Sequence, residues 1–126
     1  MKKRNQKYFA YISISEISHN YLFAGTFLDG PYHQFLSQLF VENLAKDTMI
    51  IFFSDHGYQY GPLRRSHTGE VENRLPFIYI HLPEKFIPEY EENLRQNQYR
   101  LTTPFDIHAS LIHLVQGKFE KWSRLK

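Results

Sequence analysis

The amino-acid sequence reads as an α/β fold built around a mostly parallel sheet. Two observations lead there. Residues 49–53 (Met49, Ile50, Ile51, Phe52, Phe53) form an apolar run that stops abruptly at Ser54-Asp55-His56-Gly57. A run rich in β-branched and aromatic side chains with a polar exit is the pattern of a buried strand. Residues 32–46 carry apolar side chains at helical spacing, with strand-like segments on both sides. Strand, helix and strand in succession make the unit from which parallel sheets are assembled.

Residues 8–14 (Tyr8, Phe9, Ala10, Tyr11, Ile12, Ser13, Ile14) read as the first strand, followed by a polar turn holding Ser15, Glu16, Ser18 and His19. Asp29, Gly30 and Pro31 carry turn chemistry. The helix over 32–46 places Phe35, Leu36, Leu39, Phe40 and Leu44 on one apolar face. The strand over 49–53 follows a turn at Asp47 and Thr48, and Gly57 is expected to take the positive φ of a sharp exit. Residues 58–74 read as a long polar loop, and a loop of that length in a small domain is usually functional or disordered. Residues 77–82 form a third strand, and 88–97 a charged, exposed helix. A last helix begins with Thr103 as N-cap, Pro104 at the first position and Asp106 three residues after the cap. Its expected buried face is Ile107, Leu111, Ile112, Leu114 and Val115, and Gly117 is expected to end it. Residues 118–126 read as a frayed tail.

Composition narrows the function classes. The chain has 126 residues, enough for one domain at most. Apolar residues make up 42% and aromatics 17%, which excludes a disordered composition. The net charge is +2 and the basic residues are dispersed, apart from a run at Lys2, Lys3 and Arg4, so there is no nucleic-acid stripe. There is no cysteine, hence no disulfide framework and no thiol chemistry. No apolar stretch approaches the roughly 20 residues of a membrane span, and no signal peptide is visible.

The chemistry-bearing residues gather at strand exits. Asp55 and His56 sit just past the carboxyl end of a strand, where open α/β sheets place their sites. Asp and His are a ligand pair suited to zinc or a similar divalent ion. His19 occupies the matching place after the first strand. If the two strands neighbour in a parallel sheet, the turns come together. His67, Glu70 and Glu72 in the long loop, with Glu16, are further donors, and Arg64 and Arg65 suit a phosphate or sulfate oxygen. A divalent ion needs three or four such groups, and no tight spacing links these. His33, His81, His108 and His113 read as packed or solvated histidines.

An ordered series of blocks carries a resemblance to a known family. Ser54-Asp55-His56-Gly57, Gly61 to Arg64, Thr68-Gly69-Glu70-Val71-Glu72-Asn73-Arg74-Leu75-Pro76 and Leu101-Thr102-Thr103-Pro104-Phe105-Asp106-Ile107-His108 resemble the sulfatase-like domain-of-unknown-function family 229 of the alkaline phosphatase superfamily. The similarity spans about residues 8–117. It implies an alkaline-phosphatase-like fold: an α/β/α sandwich with a mostly parallel sheet and a divalent-metal hydrolase site at the strand ends. Asp55 and His56 match the superfamily's metal-ligand pair. His19 resembles the histidine that serves the other metal, although Ser15, with Glu16 beside it, stands where an aspartate is usual. His67 is a further ligand or substrate contact, with Glu16 and Arg64 as others. The metal would be zinc, manganese or calcium, the substrate a phosphate or sulfate ester, and the location extracellular or the secretory pathway.

The resemblance also implies what is missing. The superfamily's nucleophile and first metal aspartate lie upstream of this region. Residues 1–126 are therefore expected to be the C-terminal fragment of a larger domain, inactive alone, with a sheet edge left open to aggregation. Two other functions compete: a non-catalytic extracellular binding or interaction domain that keeps the fold, and a truncation product with no function of its own.

Overall fold

The computed structural model describes residues 7–19 and 21–116. The basic run at 2–4, the helix-ending role of Gly117 and the tail at 118–126 lie outside them. The described chain mixes helix and strand. Helix α1 spans Thr26–Val41, strand β1 Ile50–Phe53, helix α2 His67–Arg74, strand β2 Ile78–His81, helix α3 Ile87–Asn97 and helix α4 Pro104–Gln116. Short 3-10 turns occupy Ala45–Asp47, Pro62–Arg65 and Glu84–Phe86.

The sheet has two strands, and their pairing is antiparallel. Ile50 stands opposite His81, Ile51 opposite Ile80, Phe52 opposite Tyr79 and Phe53 opposite Ile78. Directly opposed residues share a face, so Ile50, Phe52, Tyr79 and His81 point one way and Ile51, Phe53, Ile78 and Ile80 the other. Helix α1 touches the first face at two points and leaves Tyr79 on it exposed. Tyr32 meets the ring of Phe52 edge-on at 5.4 Å, and Phe40 meets that of His81 at 4.9 Å. His81 Nε2 lies 3.1 Å from the Ala45 carbonyl, which ties β2 to the turn after α1. Ala45 is buried there, 2% exposed. The second face is wholly apolar, and Phe53, Ile78 and Ile80 on it are exposed. Apolar side chains on both faces are the mark of a sheet that is covered on both sides.

The expected strand at residues 8–14 is not formed. The residues are exposed and make no ladder, and β1 is paired on one edge alone, with β2. Two contacts nevertheless fix their course. Tyr8 Oη lies 2.8 Å from Thr48 Oγ1, and His19 Nε2 lies 3.4 Å from Tyr60 Oη with the two rings edge-on at 5.4 Å. The contacts span 40 and 41 residues respectively. An almost constant offset means that residues 8–19 run in the same direction as residues 48–60.

Helix α1 begins earlier and ends earlier than the spacing predicts. It runs through Gly30 and Pro31, whose turn chemistry is overridden. It stops because Asn43 takes a left-handed conformation, φ 57°. The N–H of Asn43 then donates to Phe40 O at 3.0 Å and that of Leu44 to Leu39 O at 2.9 Å, the paired bonds of a Schellman motif. Residues 58–74, read as a loop, contain a helix. Ser66 caps α2 by accepting from the Gly69 N–H at 3.1 Å, and Glu70 pairs with Arg74 at 2.6 Å one turn on. Helix α4 starts where its sequence predicts. The Asp106 carboxylate accepts from both the N–H and the hydroxyl of Thr103 at 2.7 Å. Its expected buried face is only partly covered: Ile107, Leu111 and Leu114 are half-buried, whereas Ile112 and Val115 are exposed.

Candidate functional site

Strand β1 delivers Asp55 and His56 by ending at Ser54. The Ser54 N–H donates to Phe77 O at 3.1 Å, and Ser54 Oγ accepts from the Phe77 N–H at 3.2 Å. The N–H and the hydroxyl of Ser54 are thereby both engaged by Phe77, just before β2, and the chain leaves the sheet at the next residue. Asp55 then folds back on its neighbour, with Oδ1 accepting from the His56 N–H at 2.8 Å.

The His56 ring is oriented by a backbone carbonyl. Nδ1 lies 2.8 Å from Gly57 O. A carbonyl only accepts, so Nδ1 carries the proton, and in the neutral ring Nε2 holds the lone pair. Nε2 lies 3.5 Å from Asp55 Oδ2. Two ligand atoms on a tetrahedral zinc, with bonds of about 2.0–2.1 Å, stand about 3.3 Å apart. The pair thus has the bite of two metal ligands, with the other ring nitrogen donating to a carbonyl as metal-bound histidines commonly do. With a doubly protonated ring the same atoms form an ion pair. Both side chains are exposed, 82% for Asp55 and 47% for His56, so such a pair contributes little to stability.

Gly57 joins this turn to α2. Its N–H donates to Asn73 O at 3.1 Å, satisfying one of the carbonyls that the end of a helix leaves open. Its backbone is not in the left-handed region, which among the described glycines only Gly61 occupies. The expected positive φ is therefore corrected: what Gly57 supplies is room. A Cβ there would collide with the Glu72 carbonyl oxygen and lie 2.7 Å from its carbon and 2.9 Å from Asn73 Cα. At the other end of α2, a Cβ on Gly69 would collide with the Leu63 carbonyl oxygen. Two glycines thus let α2 lie backbone-to-backbone against both neighbouring segments.

The other candidate donors stand apart from the pair. Asp55 and His56 meet as sequence neighbours, and the fold adds no other candidate donor to them. The described residues contain no group of three or more His, Asp or Glu side chains arranged to hold a metal. His19 meets Tyr60, on the same loop as Asp55 but beyond it. Glu16 Oε2 accepts from the Ser15 N–H at 3.3 Å within its own turn. His67 opens α2, whereas Gly57 meets the far end at Asn73; at 1.5 Å per residue those points are about 9 Å apart along the axis. Glu70 is held by Arg74. Arg64 lies exposed on the 3-10 turn before α2. Gly57 and Tyr60 escape sequence reasoning, because their roles appear only in contacts with distant segments.

The fold and this strand exit define a mixed helix-and-strand chain with Asp55 Oδ2 and His56 Nε2 side by side, 3.5 Å apart. Over residues 1–125 the chain matches the family described as protein of unknown function (DUF229), and it belongs to that family. No curated protein and no solved structure matches it. Among the described residues, no helix is long and apolar enough to cross a membrane.

Proposed function

We propose that this chain carries the Asp55–His56 half of a divalent-metal site in a sulfatase-like or phosphatase-like ester hydrolase. The observation that carries the reading is the 3.5 Å separation of Asp55 Oδ2 and His56 Nε2, with Nδ1 committed to Gly57 O. A bound zinc, manganese or calcium would polarise the ester and stabilise the charge developing on it. Asp55 would supply the anionic ligand and His56 the neutral one. Arg64 and His67, on the segment that Gly69 packs together at the other end of α2, have the chemistry for contacts to the phosphate or sulfate oxygens.

Two ligands fall short of the three or four that a divalent ion takes. The remaining ligands and the nucleophile therefore come from elsewhere in a larger alkaline-phosphatase-like domain. Two features support this. The second face of the sheet is apolar and open, and residues 8–19 run parallel to residues 48–60. A parallel strand on the free edge of β1 would extend the sheet and carry the His19 turn toward Asp55. In that arrangement His19 and Glu16 serve a second metal or the substrate. The family resemblance places such a protein outside the cell or in the secretory pathway.

The test is zinc titration calorimetry with an aryl phosphate and an aryl sulfate assay on the same protein. The chain alone should bind zinc weakly, lose that binding in Asp55→Ala and in His56→Ala, and turn over neither ester. Unchanged zinc binding in both variants overturns the metal reading. Multiple-turnover, metal-dependent hydrolysis by the chain alone, lost in Asp55→Ala, overturns the half-site reading. A parent-length protein that binds the metal but hydrolyses neither ester would favour a binding domain of the same fold.

A further inference from the structure

We propose that Gly57 is a positioning residue that couples the C-terminal end of α2 to the tautomer and orientation of His56. The inference rests on the reading of Asp55 and His56 as metal ligands only for its consequence, not for its geometry. Gly57 is hydrogen-bonded on both sides. Its N–H donates to Asn73 O at 3.1 Å, and its carbonyl accepts from His56 Nδ1 at 2.8 Å. The first bond anchors the peptide to the helix and the second anchors the imidazole to the peptide. Between them stand only the φ and ψ of one residue.

The space for this arrangement exists because Gly57 has no side chain. Glu72 and Asn73 press their main chain onto the Cα of Gly57, and backbone cannot rotate away as a flexible side chain can. An alanine would force one of two changes. Either α2 retreats and the bond to Asn73 O is lost, or the Gly57 peptide swings and its carbonyl leaves Nδ1. In both cases the constraint that keeps the proton on Nδ1 and the lone pair on Nε2 beside Asp55 is removed. Exposed side chains such as these have little packing to hold them, so the ring is held by its contacts to the Gly57 carbonyl at 2.8 Å and, less closely, to Asp55 Oδ2 at 3.5 Å.

The experiment combines ring nitrogen NMR of His56 with zinc calorimetry, on the full chain at pH 8, where an ordinary imidazole is neutral. The wild type should show the Nδ1-protonated tautomer. Gly57→Ala should move His56 toward the tautomer mixture of a free ring and weaken zinc binding by about 10- to 100-fold, the usual effect of removing an outer-shell partner. An unchanged His56 spectrum in a folded Gly57→Ala protein overturns the proposal. Should that variant fail to fold, the wild type decides alone: an Nδ1-protonated ring supports the coupling, and an Nε2-protonated or averaging ring overturns it. If the wild type binds no zinc but its tautomer shifts in Gly57→Ala, the metal reading fails and the coupling stands.

Discussion

The hydroxyls of Tyr8 and Thr48 share a hydrogen bond at 2.8 Å across 40 residues of sequence. Tyr8 also lines a shallow hollow with Leu39, Leu44, Ala45, Thr48 and Ile50, so this contact seats the start of the N-terminal segment over the junction of α1 and β1. Both residues are partly or fully exposed, which caps its value. In a double-mutant cycle with Tyr8→Phe and Thr48→Val, urea denaturation should give a coupling of about 0.5–1 kcal/mol. A coupling indistinguishable from zero would remove the first of the two contacts that set the parallel course of residues 8–19.

Asn43 ends α1 by its backbone conformation, and this makes a signed prediction. Glycine tolerates φ 57° without the penalty that a Cβ brings, whereas a β-branched residue suffers it most. Asn43→Gly should leave stability unchanged or raise it slightly. Asn43→Val should lower it by about 1–2 kcal/mol, because the two Schellman bonds to Phe40 O and Leu39 O require that conformation. Thermal melts of the two variants followed by circular dichroism separate these outcomes.

Much of this architecture is written locally, and what is not written locally was misread for identifiable reasons. β1, β2 and α3 stand almost where their patterns place them, since apolar runs and charge periodicity survive any tertiary arrangement. The capping pair Thr103 and Asp106 is equally local. Helix α2 escaped because Val71 is its only aliphatic residue. Its signals are the cap at Ser66 and the Glu70–Arg74 pair, and in a polar stretch these are easily taken for a loop. Residues 8–14 have the composition of a strand, but a strand exists only where its backbone is paired, and composition does not supply the partner. In the site, Asp55 and His56 were legible because they are consecutive at a strand exit. The distance from His67, set by the length of α2, and the carbonyl that orients His56 depend on how α2 meets Gly57.

Two glycines in helices should respond to alanine differently. Gly30 lies within α1, and apart from its chain neighbours nothing stands within 4 Å of a Cβ built on it, but Pro31 follows it directly. In Gly30→Ala the gain in helix propensity is opposed by the crowding of the new Cβ against the Pro31 ring, so the net change should stay within about 1 kcal/mol. Gly69 is buried, and its Cβ would meet the main chain of Leu63. Gly69→Ala should cost about 1–3 kcal/mol, as overpacking does, and should loosen α2 from the Pro62–Arg65 turn. Chemical denaturation measures each change. Amide exchange at Ser66, whose N–H donates to Leu63 O at 2.9 Å, reports whether the turn has loosened.

The Thr103 hydroxyl and N–H both donate to the Asp106 carboxylate, and these bonds hold its pKa below the usual carboxylate value. A pKa that is lower in the folded chain than in the unfolded one adds stability at pH values above the unfolded pKa. That contribution is lost as the pH falls through the folded pKa, so the start of α4 should fray below about pH 4. Asp106 is fully exposed, and the effect should be local rather than a global unfolding. Asp106→Asn keeps an acceptor but removes the charge, and should flatten the pH dependence. Amide exchange of Thr103 from pH 6 downward makes the comparison. Protection that persists unchanged in the wild type to pH 2, or that follows the same pH curve in Asp106→Asn, would show that the carboxylate does not fasten this end of the helix.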